Sequence, residues 1–240
     1  MVEKDETKMP LKDLNDGEVL TKHRIVPRRI LHNIPLTKIK QDLERYRTLA
    51  IKQGASDAVI ISSDEIIVDE RVRVKCIYPK CIHYGTNINC PPYAPDLDFM
   101  KKVISNYRYA ILFSVKGDIE YFVKADYNLK FVGMKNPARV LLNRICSEIE
   151  SRCYYEGYYL SIAFGQGPCK SLWCPDQTCA AIQPGSGCRF PLKSRSSMEA
   201  VGMDVFRMAS RQGWEIYPCG EKIEKGDIPH VLLVGLVLIY

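Results

Sequence analysis

Cysteines at a repeated spacing constrain this chain more than any other feature. One run, CKSLWCPDQTCAAIQPGSGC, places four of them at intervals of four, four and eight intervening residues: Cys169, Cys174, Cys179 and Cys188. A shorter run upstream has intervals of four and eight: Cys76, Cys81 and Cys90. Pro91 follows its last cysteine, as in ferredoxin-type runs that end in Cys-Pro. Because the pattern C-x4-C-x8-C occurs twice, the sequence predicts two sites of one kind.

The sequence favours a cytoplasmic location. This location argues against disulfide bonds between the cysteines. Its first residues, MVEKDETKMPLKDLNDGE, lack the apolar core of a secretory signal. The longest apolar run, residues 231–240, is too short to cross a membrane, which takes about 20 residues. Cytoplasmic thiols are kept reduced. Metal ligation is therefore the leading interpretation of the ten cysteines.

Sites made only of thiolate sulfur favour zinc or iron–sulfur clusters. Structural zinc sites commonly use two separated cysteine pairs, whereas here four cysteines come from one loop. The iron atoms of a cluster lie at separate corners, so one loop can reach them in succession. Gly165, Gly167, Gly185 and Gly187 would let backbone N–H groups approach the sulfurs. This pattern favours two 4Fe-4S clusters, with zinc as the alternative.

The upstream group has only three cysteines, and three interpretations remain open. Cys219, in the turn YPCGE, could supply a fourth ligand from a distance. His83 could do so, although a single histidine in a tyrosine-rich loop is more often a hydrogen-bonding residue. Alternatively, one iron stays open to a substrate, as in catalytic metal sites.

The net charge of +6 usually suggests an anionic partner. Two anionic clusters would offset part of it. The basic stretches, residues 22–29 and 189–195, do not interleave aromatic and basic side chains, so nucleic acid is not favoured. The sequence also lacks G-x-G-x-x-G and phosphate-loop motifs. Electrons would therefore have to come from a separate redox protein partner.

The hydrophobic periodicity predicts an α+β (or α/β) fold: a mixed sheet packed with helices, with cysteine-rich loops at strand ends holding the metal clusters. Residues 1–30 read as a polar N-terminal extension and 31–240 as a single domain. Predicted helices cover residues 36–50, 96–107, 136–156 and 196–213. Predicted strands and hairpin segments cover residues 58–61, 66–74, 109–115, 121–131, 158–164, 214–217 and 231–239. Cys146 and Cys153 share a helix face and are interpreted as buried core residues.

Three segments carry a family resemblance: CIHYGTNINCPPYAP, GQGPC and CRFPLKSRSSMEAVGMDVF. With them, residues 71–213 resemble a cysteine-rich family of unknown function described as predicted metal-binding proteins, found mainly in anaerobic archaea and bacteria. The resemblance implies metal binding, with iron–sulfur expected, in an anaerobic setting, and it implies no particular reaction. The two cysteine groups match the two groups of the family, whose second group is more compact than the one here.

Three functions follow from these observations. The first is an iron–sulfur protein that transfers electrons to or within a larger anaerobic redox enzyme or its activation complex. The second is a zinc-stabilised binding module. The third is an enzyme that uses an open iron at Cys76, Cys81 and Cys90, although no nucleophile with a paired base accompanies them.

Overall fold

A four-stranded antiparallel sheet lies at the centre of the part of the protein described by the computed structural model, residues 25–123, 136–220 and 222–240. Its strands are β1 (Asp57–Ser62), β2 (Tyr109–Gly117), β3 (Ile162–Phe164) and β4 (Val231–Leu238), in the order β1-β2-β4-β3. Ala110 pairs with Leu238, and Phe113 pairs with Gly235. The two central strands, β2 and β4, are buried on both faces along most of their length.

Helices cover both faces of this sheet. They are α1 (Leu36–Lys52), α2 (Glu70–Ile77), α3 (Leu97–Ser105), α4 (Glu120–Val123), α5 (Pro137–Tyr155), α6 (Cys169–Trp173) and α7 (Val205–Arg211). Short 3-10 turns lie at Ser63–Glu65, Ala180–Ile182 and Glu199–Val201. The predicted α+β class is confirmed.

Two hydrophobic clusters hold the layers together, one on each face of the sheet. On one face, Tyr46 of α1 and Leu142 of α5 pack with Phe113 and are fully buried. On the other, Met100 of α3 and Met208 of α7 pack against even-numbered positions of β2 and β4. Successive strand residues point to opposite faces. A strand covered on both sides therefore reads as a continuous apolar run, which is why 231–239 is recognisable in the sequence.

Most of the long periodic elements were predicted correctly. The helices at 36–50, 96–107 and 136–156 and the strands at 58–61, 109–115 and 231–239 all occur, with small differences at their ends. Asn136 caps α5 as expected, because its side chain accepts a hydrogen bond from Arg139 N at 3.2 Å, and Pro137 occupies the first turn.

The predicted strand at residues 66–74 is wrong. Much of it belongs to helix α2, which begins after Asp69, whose side chain accepts a hydrogen bond from Arg71 N at 2.8 Å. β1 pairs with β2 instead, so no hairpin forms between 58 and 74. Valines favour a strand only where a partner strand lies beside them. Here no partner strand is present within the described residues, and the N-cap residue Asp69 favours a helix.

Other predicted boundaries also change. The helix predicted at 196–213 is divided: Glu199–Val201 is a 3-10 turn that ends at Gly202 (φ +81°), and α7 starts separately after its own cap, Asp204. Residues 214–217 form no strand. The strand predicted at 158–164 is shortened to β3, since only its last residues pair with β4.

Some predictions fall largely outside the described residues. This applies to most of the hairpin at 121–131, although Glu120–Val123 is helical. It also applies to the polar extension except its end, where Arg28 N donates to Tyr155 O at 2.8 Å. The division into extension and domain stays a prediction. Among the described helices, none has the length and apolar character needed to cross a membrane.

A buried polar network joins α1 to α5. The Asp42 carboxylate accepts hydrogen bonds from Arg28 at 2.7 Å and from Lys38 at 2.9 Å. The Tyr158 hydroxyl donates to the same carboxylate at 3.0 Å. Glu156 accepts from the Tyr46 hydroxyl at 2.7 Å. Both carboxylates are thus compensated inside the protein, as buried charges must be.

Candidate metal centre

The four downstream cysteines share one pocket, which Asn87, Trp173 and Phe190 help to line. We call them the downstream group: Cys169, Cys174, Cys179 and Cys188. Short local structures bring them together. Cys169 opens the single-turn helix α6 after a short loop, residues 165–168, that follows β3, and Cys179 is the N-cap residue of the next 3-10 turn. The sequence prediction of a cysteine loop leaving a strand is therefore met for this group.

The downstream loop is closed by its own hydrogen bonds. Arg189 Nη1 donates to Thr178 O at 2.8 Å across the last interval. Phe190 N lies 3.4 Å from the Cys188 sulfur and donates to it. Gly185 has φ +74°, a conformation that favours glycine. Backbone N–H groups aimed at sulfur are what an anionic metal–thiolate site requires.

The upstream group consists of Cys76, Cys81 and Cys90, and it lies between α2 and α3. Cys76 is in the last turn of α2. The sequence predicts instead a strand that leads into a loop at Cys76. Cys81 N donates to Cys76 O at 3.1 Å, and His83 N donates to the Cys81 sulfur at 3.5 Å. This single turn brings the first two cysteines side by side.

The thiols of the upstream group are close enough to influence one another. Burial raises the pKa of Cys76, and the neighbouring Cys81 raises it further. Burial raises the pKa of Cys90 to about 12, with Cys169, Cys81 and Cys76 contributing. Such thiols lose their protons when a cation compensates the resulting charge. Without such a cation, burial keeps the thiols of Cys76 and Cys90 protonated.

Asn87 lies between the two groups and is fully buried. Its side chain hydrogen-bonds Cys90, and the Cys169 thiol donates to its Oδ1 at 3.5 Å. Asn89 Nδ2 donates to the Cys169 sulfur at 3.3 Å and to Ser194 Oγ at 2.6 Å. Sequence reasoning missed both asparagines. The segment TNINC, with two amides directly before Cys90, was the available signal.

Arg73 fixes the upstream group to the body of the protein, and sequence reasoning missed it as well. Its guanidinium donates to Ala94 O and Pro95 O, each at 3.2 Å, and also to Ala200 O. Burial lowers its pKa, whereas the neighbouring Cys76 raises it. A cation held there by carbonyl groups stabilises negative charge on the cysteines.

The remaining cysteines lie elsewhere. Cys146 and Cys153 are fully buried in α5, as predicted for core residues. Cys219 packs against the hydrophobic cluster on the α1 and α5 face of the sheet. The segment that carries the upstream group instead contacts the opposite layer, through α2 and Glu199–Val201. Cys219 therefore packs on the other layer, whereas the Cys169 thiol lies close enough to Cys90 to raise its pKa.

His83, the other candidate fourth ligand, contacts the group through its backbone. Burial lowers the pKa of its ring, and the nearby Arg139 and Lys170 lower it further. Across the described residues, no three His, Cys, Asp or Glu side chains converge on a point that could hold a single metal ion. The assignment of individual cysteines as ligands stays a prediction.

Comparison with known proteins gives one match. The family model described as "Predicted metal-binding protein (DUF2284)" matches residues 59–239, a range that contains both cysteine groups. No curated protein and no solved structure matches the chain.

Proposed function

The chain belongs to the family of predicted metal-binding proteins, and from this premise we propose that it is an iron–sulfur protein with two 4Fe-4S clusters that transfers electrons to or within a larger redox enzyme. The downstream group would hold one cluster and the upstream group the other. The observation that carries this proposal is the position of Asn87, which contacts a cysteine of each group.

The surroundings of the cysteines fit an anionic cluster. All ten cysteines are free thiols. N–H groups donate to three of the candidate ligand sulfurs: Cys81, Cys169 and Cys188. Hydrogen bonds to sulfur are one of the means by which proteins set the potential of a cluster. A purely apolar pocket would not stabilise the charge that four thiolates bring.

The arrangement of the thiols supports clusters over a single zinc ion. A tetrahedral zinc site draws its sulfurs to about 2.3 Å from one point. The four downstream cysteines share a pocket but come from one continuous loop rather than from two separated pairs. Ligands of a cluster need not converge, because its iron atoms occupy separate corners.

Contact between the two groups supports electron transfer. Cys90 and Cys169 both hydrogen-bond to Asn87, so an electron would cross one buried side chain between the sites. Trp173 lines the downstream pocket and also a surface groove that includes Tyr154 and Leu192. We place the redox partner at this groove, because Trp173 connects it with the downstream group.

A second candidate function is an enzyme with an open coordination position at the upstream group. The favouring observation is that three thiols lie together there, while Cys219 packs on the opposite layer. An open position is what distinguishes a catalytic metal site from a structural one.

The test is purification without oxygen, followed by quantification of iron, acid-labile sulfide and zinc. We expect about eight irons and eight sulfides per chain, and about four of each in Cys174→Ser and in Cys81→Ser. Cys146→Ala is the matched control and should keep all of them. Electron paramagnetic resonance of the fully reduced protein should show two interacting spins, and each serine variant only one.

Two results would contradict the proposal. A colourless protein with stoichiometric zinc would identify the zinc-stabilised module instead. Equal loss of metal in Cys146→Ala and in the serine variants would mean that the cysteines act through folding and not as ligands.

A further inference from the structure

Arg139 is a buried cation with one donor atom that the described part of the chain leaves without a hydrogen-bond partner. Its side chain extends inward from the first turn of α5, and the residue is only 6% exposed. Nε donates to Gln166 Oε1 at 2.8 Å. Nη1 is buried and has no hydrogen-bond partner within the described residues.

Leaving such a group without a partner is costly. Burying a charged donor without a hydrogen bond is unfavourable, and proteins usually compensate such a charge with a carboxylate. Arg139 makes no ion pair in the described part of the chain. Burial lowers its pKa, and the charge of Glu199 offsets this only in part. A further acceptor would complete the environment of the guanidinium.

The loop before α6 is shaped around this guanidinium. Gly167 has φ +72°, and a Cβ atom there would lie 3.0 Å from both Cζ and Nε of Arg139. Only glycine allows the backbone to lie this close in that conformation. The loop therefore covers one side of the guanidinium without supplying an acceptor to Nη1.

The surrounding charges favour an anion. The His83 ring lies within electrostatic range of both Arg139 and Lys170, and among the described residues Glu199 is the carboxylate that influences Arg139. Guanidinium groups bind carboxylates and phosphates through charge-assisted hydrogen bonds. A neutral ligand would not compensate the buried positive charge of the guanidinium.

The position of Arg139 relates it to the upstream group. His83 interacts with Arg139 and, through its backbone N–H, with Cys81. Glu199 interacts with Arg139 and with Cys76. His83 and Glu199 thus link the guanidinium electrostatically to the upstream group within the described residues.

We infer that Arg139 Nη1 is the anchor of a binding site for a small anionic ligand, a carboxylate or an inorganic oxyanion, next to the upstream cysteine group. The deep burial of the residue limits the ligand to a small head group. The binding site itself does not depend on which metal the cysteines hold. Its use as a substrate site rests on the proposed open coordination position.

The test uses the full chain purified without oxygen, with its metal content measured in the same sample. Formate, acetate and inorganic phosphate are titrated calorimetrically as separate probes. We expect one of them to bind saturably, at one per chain, and Arg139→Gln to weaken that binding at least about tenfold. Arg144→Gln, on the same helix, is the matched control and should bind normally.

Further variants keep the result interpretable if Arg139→Gln does not fold. Arg139→Lys keeps the charge but shortens the reach of the donor, so it should bind more weakly than the wild type. Gly167→Ala should also weaken binding, because the methyl group displaces the guanidinium.

Three outcomes would overturn the inference. The first is that none of the probes binds at one per chain. The second is that Arg139→Gln and Arg139→Lys both bind like the wild type. The third is that Arg139→Gln changes only the metal content or its potential, which would make Arg139 a counter-charge of the metal centre. A zinc-loaded chain that binds acetate would support the anion site while contradicting the iron–sulfur proposal.

Discussion

Asn89 donates a hydrogen bond from Nδ2 to the sulfur of Cys169, at 3.3 Å, across eighty positions of the sequence. The same amide donates to Ser194 Oγ, and its carbonyl accepts from Ser196 Oγ at 3.2 Å. Burial raises the pKa of the Cys169 thiol, and the hydrogen bonds from Ser194 and Asn89 lower it in part. This amide therefore stabilises negative charge on the first cysteine of the downstream group.

Replacing Asn89 should alter the reduction potential of the cluster proposed for the downstream group. In Asn89→Ala the sulfur loses a donor, so its reduced, more negative state is less stabilised. We expect the reduction potential of the downstream centre to fall by on the order of tens of millivolts. A potentiometric titration followed by electron paramagnetic resonance measures this. Asn106→Ala is the control, since its amide donates to Lys102 O of the adjoining helix α3, outside both cysteine runs. An unchanged potential in Asn89→Ala would refute the assignment.

Cys219→Ser should keep the full metal content. Cys219 packs against the cluster on the α1 and α5 face, away from the layer of the upstream group. Iron and sulfide per chain, compared with the wild type and with Cys90→Ser, measure the effect. Loss of about four irons in Cys219→Ser would instead make Cys219 the fourth ligand of the upstream group.

Acid should destabilise the protein partly through Asp42. Burial alone would raise the pKa of Asp42, but hydrogen bonds from Arg28, Lys38 and Arg45 outweigh it and lower the pKa from 3.8 to about 2. A lowered folded-state pKa stabilises the protein above pH 3.8, and this contribution is lost as the pH falls toward 2. Its size is about 1–2 kcal/mol, because Lys38 and Arg45 are partly exposed and screened by solvent.

Thermal unfolding between pH 5 and pH 2.5, taken as about the range of this titration, tests the contribution of Asp42. Asp42→Asn should be less stable than the wild type at neutral pH and should show a smaller loss of melting temperature on acidification. Asp98→Asn, at an exposed position of α3, should follow the wild type. Parallel curves for Asp42→Asn and the wild type would show that the acid sensitivity has another origin.

Gly165→Ala should destabilise the junction between β3 and the downstream loop. A Cβ atom at Gly165 would lie 2.1 Å from Asn143 Oδ1. Asn143 is buried, and its Nδ2 donates to Arg139 O at 2.9 Å and to Gln166 O at 3.3 Å. Displacing it should cost about 1–3 kcal/mol of unfolding free energy.

Chemical denaturation of the two glycine variants measures this cost. Gly220→Ala is the control, because a Cβ atom there meets nothing within 4 Å. Equal midpoints for Gly165→Ala and Gly220→Ala would contradict the predicted clash.

The sequence predicted well those features that depend on local order. The periodic helix α1, the Asn136-Pro137 start of α5 and the apolar strand β4 each follow from side chains close together in the chain. It failed at residues 66–74, where the apolar pattern suited a strand but no neighbouring strand was present. Strand pairing depends on the other strands of the sheet, so it cannot be predicted from a short segment alone.

For the candidate site, the sequence by itself determined which thiols are available and how each group is spaced. Only the tertiary structure decided that Asn87 joins Cys90 to Cys169, that Cys219 packs on the other layer, and that the buried Arg139 lies within electrostatic range of His83. The physical reason is that ligand spacing is a local property of the chain. Contacts across eighty residues arise when the helices and the sheet bury their apolar faces together.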